Sequence, residues 1–293
     1  MGYRRLPRAP WIAAFFALLS ACAGLPESPV LRPMDASVAT ATAARLDALL
    51  PADVLLLGEQ HDAAEHQLLA QQTLALLASR GQLAAVALEM ADAGASTAPL
   101  KPSATEQQVQ SALRWKNQAW PWQAYGPAVM TAVRAGVPVM GANLPGTKMQ
   151  SSMTDGQLDG QLSGPALKAQ QQLIRIGHCN FLPESQITPL TRIQIARDIS
   201  MAHTVSQATV PGKVVVMLSG SGHVDRFLGV PQHLPAKLSV KTVRLSAGTP
   251  TGSDTVSSFD STWVTPAVPE VDHCAALREQ FAPKSKPGAD TQP

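Results

Sequence analysis

The run Val54-Leu55-Leu56-Leu57, followed at once by Gly58-Glu59-Gln60-His61, constrains this chain more than any other feature. A short apolar run of this kind reads as a buried strand. The carboxylate and imidazole that follow then sit at its carboxyl end, where open α/β sheets bind their ligands. Two later segments repeat the layout: Val86-Ala87-Leu88 runs into Glu89, and Val214 to Leu218 runs into Ser219-Gly220-Ser221-Gly222-His223. Three strand ends therefore offer two carboxylates and two imidazoles to one pocket.

Glu59 and His61 are two residues apart, so in an extended chain they point to the same side. They could share a metal or a substrate proton. Helix capping is the plain alternative for Glu59, with Asp62 and Glu65 near the positive end of the next helix. Yet a carboxylate placed directly after four apolar residues needs a partner. A structural salt bridge is the alternative for Glu89, and a tight turn for Gly-Ser-Gly-His223. Two chemistries stay open for Glu59, His61, Glu89 and His223. They bind a divalent metal, with Glu59, His61 and His223 as ligands, or one Glu acts as general base on a water. Mixed nitrogen and oxygen donors suit Zn, Mn or Fe(II) without choosing among them. The sequence has no H-E-x-x-H, P-loop, G-x-G-x-x-G or G-x-S-x-G pattern, and no cysteine pair with zinc-ribbon spacing.

Periodicity places strands at 53–57, 84–88, 137–143, 213–218 and, as the last, 240–245. Helices fall at 66–79, 164–176 and 191–207, with two more inside 104–135 broken at Trp120-Pro121-Trp122. This alternation predicts an α/β fold, a mostly parallel central sheet with helices on both faces, in a single domain. Tyr125 is the lone tyrosine outside the first 21 residues. It stands beside Trp120 and Trp122, either as core packing or as the lining of an apolar ligand slot.

The N-terminus carries Arg4, Arg5 and Arg8, an apolar stretch from Trp11 to Leu19, and then Leu19-Ser20-Ala21-Cys22. This reads as a secretory leader over 1–21 and is too short for a membrane-spanning helix. The last four residues resemble a bacterial lipobox, which makes Cys22 the lipidated residue; several acyl chains would anchor it stably. The expected organisation is then a lipidated Cys and tether over 22–45, the α/β domain over 46–282 and a disordered tail over 283–293. Ala23 after the cysteine favours, by resemblance to enteric lipoproteins, the outer membrane of the cell envelope. Cleavage removes three Arg and no acidic residue, leaving 20 basic against 21 acidic side chains, a formal charge of about −1. That balance argues against nucleic acid as a partner. The two remaining cysteines, Cys179 and Cys274, invite one disulfide in an oxidising compartment. Closing so long a loop would contribute on the order of 4–5 kcal/mol.

Several segments together resemble the ChaN family of iron-regulated bacterial lipoproteins, in the haem-binding uptake, Tiki-like superfamily. They are Leu-Leu-Leu-Gly58-Glu59-Gln-His61-Asp62, Ala-Leu88-Glu89-Met90, Trp120-Pro-Trp-Gln-Ala-Tyr125 and Gly141-Ala-Asn143-Leu-Pro. Gln194-Ile-Ala-Arg197-Asp198-Ile-Ser-Met201-Ala202 and Gly220-Ser-Gly222-His223-Val-Asp-Arg226 with Gly229-Val-Pro231 complete the set. The resemblance covers roughly residues 50 to 235. It implies a parallel-sheet α/β domain and a haem-binding role in haem and iron acquisition. It also implies distant kinship with erythromycin-esterase-like and Tiki-type hydrolases, at whose shared positions Glu59, His61, Glu89 and His223 fall. Asn143, Arg197 and Asp198 match family positions and join Trp122 and Tyr125 as expected cofactor-binding residues. Tyr125 is the first choice of haem ligand, followed by His178 and Met201. An outer-membrane haem receptor and a homodimer are the further partners expected.

Overall fold

The computed structural model describes residues 36–249 and 258–281. The leader, Cys22 and the C-terminal tail lie outside them. The elements are helix α1 (Ala36–Asp47), β1 (Val54–Glu59), α2 (Ala64–Ser79), β2 (Leu83–Asp92), α3 (Glu106–Ala112), α4 (Trp122–Arg134) and β3 (Val139–Asn143). They continue with α5 (Gly146–Thr154), α6 (Gly164–Gly177), α7 (Glu184–Gln207), β4 (Val214–Gly220), β5 (Val240–Ala247), β6 (Ser261–Thr265) and α8 (Ala275–Phe281). Helix α1 thus occupies part of the stretch expected to be tether.

Six strands form one sheet in the order β3-β2-β4-β1-β5-β6, and every pairing is parallel. Alternate residues of each strand feed opposite layers, as the period of two requires. Leu55 and Leu57 of β1, with Val214, Val216 and Leu218 of β4, pack in the larger layer with residues of α2 and α4. Val54, Leu56, Val215 and Met217 pack in the other, with Met201, Ala202 and Val205 of α7. Leu55, Leu56 and Leu57 are all buried, which explains an unbroken apolar run where a one-faced sheet would show alternation. Each such leucine contributes roughly 1.5–3 kcal/mol.

Two features depart from the sequence expectation. The strand at 240–245 is not the last, because β6 pairs beyond β5 at the sheet edge. Helix α7 begins seven residues before Thr191 and runs through Pro189. Strands β1 and β2 run parallel, as expected, with β4 between them. That order builds the site: the carboxyl ends of β2, β4 and β1 stand side by side, and they carry Glu89, Gly220 to His223, and Glu59 to His61.

Candidate acid–base site at the strand ends

Glu59 ends β1 and is 4 % exposed. Its Oε1 accepts from the Tyr125 hydroxyl (2.8 Å) and from Nδ1–H of His61 (2.9 Å). Gly58 lets the turn after β4 pack closely on this corner, because a Cβ there would meet the Val224 side chain and the Ser221 backbone. Glu89 lies in β2 where the register against β3 shifts between Leu88 and Asp92, a bulge that re-aims its side chain. Its backbone carbonyl accepts from Asn143 Nδ2 (2.9 Å), and its Oε2 accepts from the Gly220 N–H (2.7 Å). So Asn143 holds the Glu89 backbone.

His223 sits in a 3₁₀ turn, Ser221–Val224, directly after β4. Its Nδ1 donates to Asp198 Oδ1 at 2.6 Å, and its Nε2 faces Glu89 Oε1 at 3.4 Å. Asp198 comes from α7, so α7 clamps the ring from behind. The Gln194 amide, one turn earlier on α7, lies 3.2 Å from Nδ1. His61 alone among these groups reaches solvent, with a side chain 38 % exposed. Trp120 packs edge-on against it at 4.8 Å and against Tyr125 at 5.8 Å, forming one wall of the mouth.

The charges follow from this geometry. Burial opposes the His223 cation, but Glu89 and Asp198 outweigh it and raise its pKa to about 10. Burial likewise opposes ionised Glu89, yet His223 and His61 hold it down at about 2. Burial dominates at Asp198 and raises it to about 6. For His61, burial pulls the pKa down while Glu59 and Glu89 pull harder, and the net shift is upward. Burial, then the Glu59 charge, pushes the Tyr125 phenol upward, so it stays protonated. The result is an ionic core of Glu89, His223 and Asp198 behind an oriented, solvent-facing His61. Because Nδ1–H of His61 is committed to Glu59, its other nitrogen, Nε2, carries the lone pair when the ring is neutral. It points into the mouth, 3.9 Å from Glu89 Oε2.

The four strand-end residues thus come together as expected, but not as a metal triad. Both His223 nitrogens face carboxylates, and Glu59 Oε1 already accepts twice. Among the described residues no three His, Cys, Asp or Glu side chains are set to hold a metal ion. Trp122 and Tyr125 do not line an open slot: both are buried, and Trp122 Nε1 donates to Glu106 (2.8 Å). Met201 is wholly buried and unavailable as a ligand. Asp198 serves His223. Arg197 acts on Asp198 through its charge, and its Nε is buried without a hydrogen-bond partner. His66, one turn into α2, is buried between the Gln60 N–H and Thr265. Sequence reasoning missed Gln194 and the Gly220 N–H, whereas Trp120, expected beside an apolar slot, does wall the mouth. A Gln one turn before Asp198 was the available signal for the first.

The Cys179–Cys274 disulfide is formed, with Cα atoms 5.9 Å apart.

Residues 45–234 match the model of a family described as haem-binding uptake, Tiki superfamily, ChaN. Among solved structures, that of cofacial haem binding to ChaN of Campylobacter jejuni is similar, with a TM-score of 0.60 and 25 % identity. That likeness covers 71 % of this chain and 86 % of the other. A type III effector, HopBA1, aligns with a TM-score of 0.48 and 14 % identity over 74 % of this chain and 88 % of its own. A Bacillus cereus protein aligns at 0.37 and 11 %, over 71 % and 69 %. Among curated proteins, none matches the sequence.

Proposed function

We propose, from the premise that this chain belongs to the haem-binding uptake family of the Tiki superfamily, ChaN, that it binds haem and serves haem and iron acquisition. The observation that carries the reading is the extent of the family match, which runs from the end of α1 through β4 and the turns beyond it. The likeness to Campylobacter jejuni ChaN, which binds haem cofacially, supports it. Haem supplies a flat apolar ring, an iron that takes a nitrogen, oxygen or sulfur donor, and two propionates.

The strand-end residues do not fit that group. Glu59, Glu89 and Asp198 would repel propionates, Tyr125 is held as a protonated donor, and only His61 reaches the surface. Haem binding therefore belongs to another face of the molecule. Titration of ferric haem into the purified protein, followed by its Soret band, tests the reading. A saturable, shifted band is expected, and an unshifted band that grows without saturation would sink it.

The proposal extends to anchoring in the outer membrane through Cys22, and to a homodimer and a haem receptor as partners. The basic leader and the Leu-Ser-Ala-Cys22 segment support the anchor. Incorporation of labelled palmitate, lost in Cys22→Ser, checks it.

A second reading rests on one observation, the Glu59–His61 pair. An imidazole oriented by a carboxylate, with its free nitrogen at the mouth, is suited to take a proton from water. Its upward-shifted pKa favours that role near neutral pH. Hydrolysis of an activated ester such as p-nitrophenyl acetate, abolished by His61→Ala, is the expected outcome. A rate equal in wild type and variant removes this reading and leaves haem binding untouched.

A further inference from the structure

We infer that the tip of the α6–α7 hairpin is a lid beside the strand-end mouth, latched by the Cys179–Cys274 disulfide, and that a dithiol reductant releases it.

The tip stands beyond the strand ends. Helix α7 runs antiparallel to the strands: Ser200 Oγ donates to the Ala142 carbonyl near the end of β3, and the helix finishes at Gln207, shortly before β4 begins. Asp198 is level with His223, which it holds. Glu184 lies 14 residues earlier, roughly 21 Å along the axis at 1.5 Å per residue. The first half of α7 therefore projects past the carboxyl edge of the sheet, and the turn that carries Cys179 lies at its end.

The disulfide ties that turn to the loop bearing His61. Cys179 is bonded to Cys274, and His273, next to it, sets its Nε2 3.7 Å from Asp62 Oδ2. Asp62 follows His61 and precedes α2. Helices α2 and α4 pack on one face of the sheet, and α7 packs on the other. Residues 273 and 274 thus join the two helical layers across the carboxyl edge, at the loop whose His61 packs against Trp120.

The packing of the hairpin weakens toward its tip. At its base Ala166 and Leu167 lie against Leu158, Leu162 and Ile195. Further along α6, Leu173 and Ile176 are 45 % and 56 % exposed. The Arg175–Glu184 pair is internal to the hairpin, and so is the 2.8 Å contact of His178 Nδ1 with the Ile174 carbonyl. Pro189 interrupts the hydrogen-bond ladder of α7 below the tip, where the helix can bend. On the other side of the bond, residues 269–273 are exposed. Exposed segments with few buried contacts open at low cost, so cutting the bond frees the tip without opening the core.

The bond is within reach of a reductant. Cys179 and Cys274 are half-buried, and their chain neighbours Asn180 and His273 are exposed. One thiolate of a dithiol attacks one sulfur, forms a mixed disulfide and releases the other cysteine as a thiolate. The second thiol of the reductant then displaces the remaining cysteine sulfur. Two cysteine thiols and one cyclic disulfide of the reductant result.

Access to His61 is the quantity to measure, and it depends neither on haem nor on hydrolysis. Diethyl pyrocarbonate acylates a neutral imidazole, and peptide mass spectrometry assigns the modified histidine. Three samples are compared: the oxidised protein, the protein reduced with dithiothreitol and capped with iodoacetamide, and the variant Cys179→Ser/Cys274→Ser. The rate at His61 should rise several-fold in the last two. His203, exposed on the far half of α7, should keep its rate, and buried His223 should stay unmodified. An unchanged rate at His61 in both opened forms would overturn the latch. Modification of His223 alongside His61 would overturn it too, because that marks unfolding of the strand ends and not movement of a lid.

Discussion

The strand ends and the tip of α6 place histidines in opposite settings. At the strand ends His223 is buried, and each ring nitrogen faces a carboxylate. At the tip of α6, His178 is half-buried and sets one nitrogen 2.8 Å from the Ile174 carbonyl oxygen, with no carboxylate on the ring. The first arrangement satisfies both nitrogens of His223 internally and gives rigidity. The second commits one nitrogen to a backbone carbonyl. A histidine at the end of a strand is therefore not by itself the place to expect an iron ligand. What the other ring nitrogen does decides the matter.

The comparison can be broken first by stability. Replacing His223 with Ala strands Glu89 and Asp198 without their cation and should cost about 3–5 kcal/mol, as loss of one partner of a buried pair does. Urea unfolding monitored by circular dichroism reads this as a lower midpoint. Near-wild-type stability would mean that the ionic core is not formed.

The pH dependence comes next. Glu89 is depressed to about 2 from 4.5, so its contribution is complete above pH 4.5 and fades as pH falls through 2. His223 is raised to about 10 from 6.5, so its contribution is complete below pH 6.5 and fades as pH rises toward 10. Asp198, raised to about 6, adds a decline of the same sign between its ordinary 3.8 and that value. Linkage then predicts falling stability from about pH 6.5 to 10. The urea midpoint measured across that range should drop in wild type and stay flatter in His223→Gln.

Tyr125→Phe removes one hydrogen bond to a buried carboxylate and should cost roughly 1–3 kcal/mol. It should leave the haem spectrum unchanged, and loss of that spectrum would return Tyr125 to the ligand role. The smallest expected effect is Leu173→Ser/Ile176→Ser. Surface changes of this kind usually move stability within about 0.5 kcal/mol per site, so the thermal midpoint should hold.

Much of this was legible because apolar runs ending in charge are rare. Val54 to His61, Val86 to Glu89 and Val214 to His223 named three strand ends, and the strand order set them side by side. The β6 strand, Ser-Thr-Trp-Val-Thr, is a five-residue edge strand with only Trp263 and Thr265 buried, too short for periodicity to separate it from loop. The first turns of α7 were hidden by Pro189, which normally marks a helix boundary. Helix α5 has one buried residue, Ser152, and shows no apolar stripe. The Asp198 contact with His223 joins residues 25 apart on different elements, and spacing alone could not tell a clamp from a ligand. Likewise the burial of Trp122 and Tyr125 depends on α4 packing inward, which aromatic composition does not reveal.

The most direct test of the central claim is the Soret titration of the purified protein with ferric haem. The account predicts a shifted band that saturates at a fixed ratio of haem to chain. Absorbance that rises in proportion to added haem, with the spectrum of the free compound throughout, would contradict it.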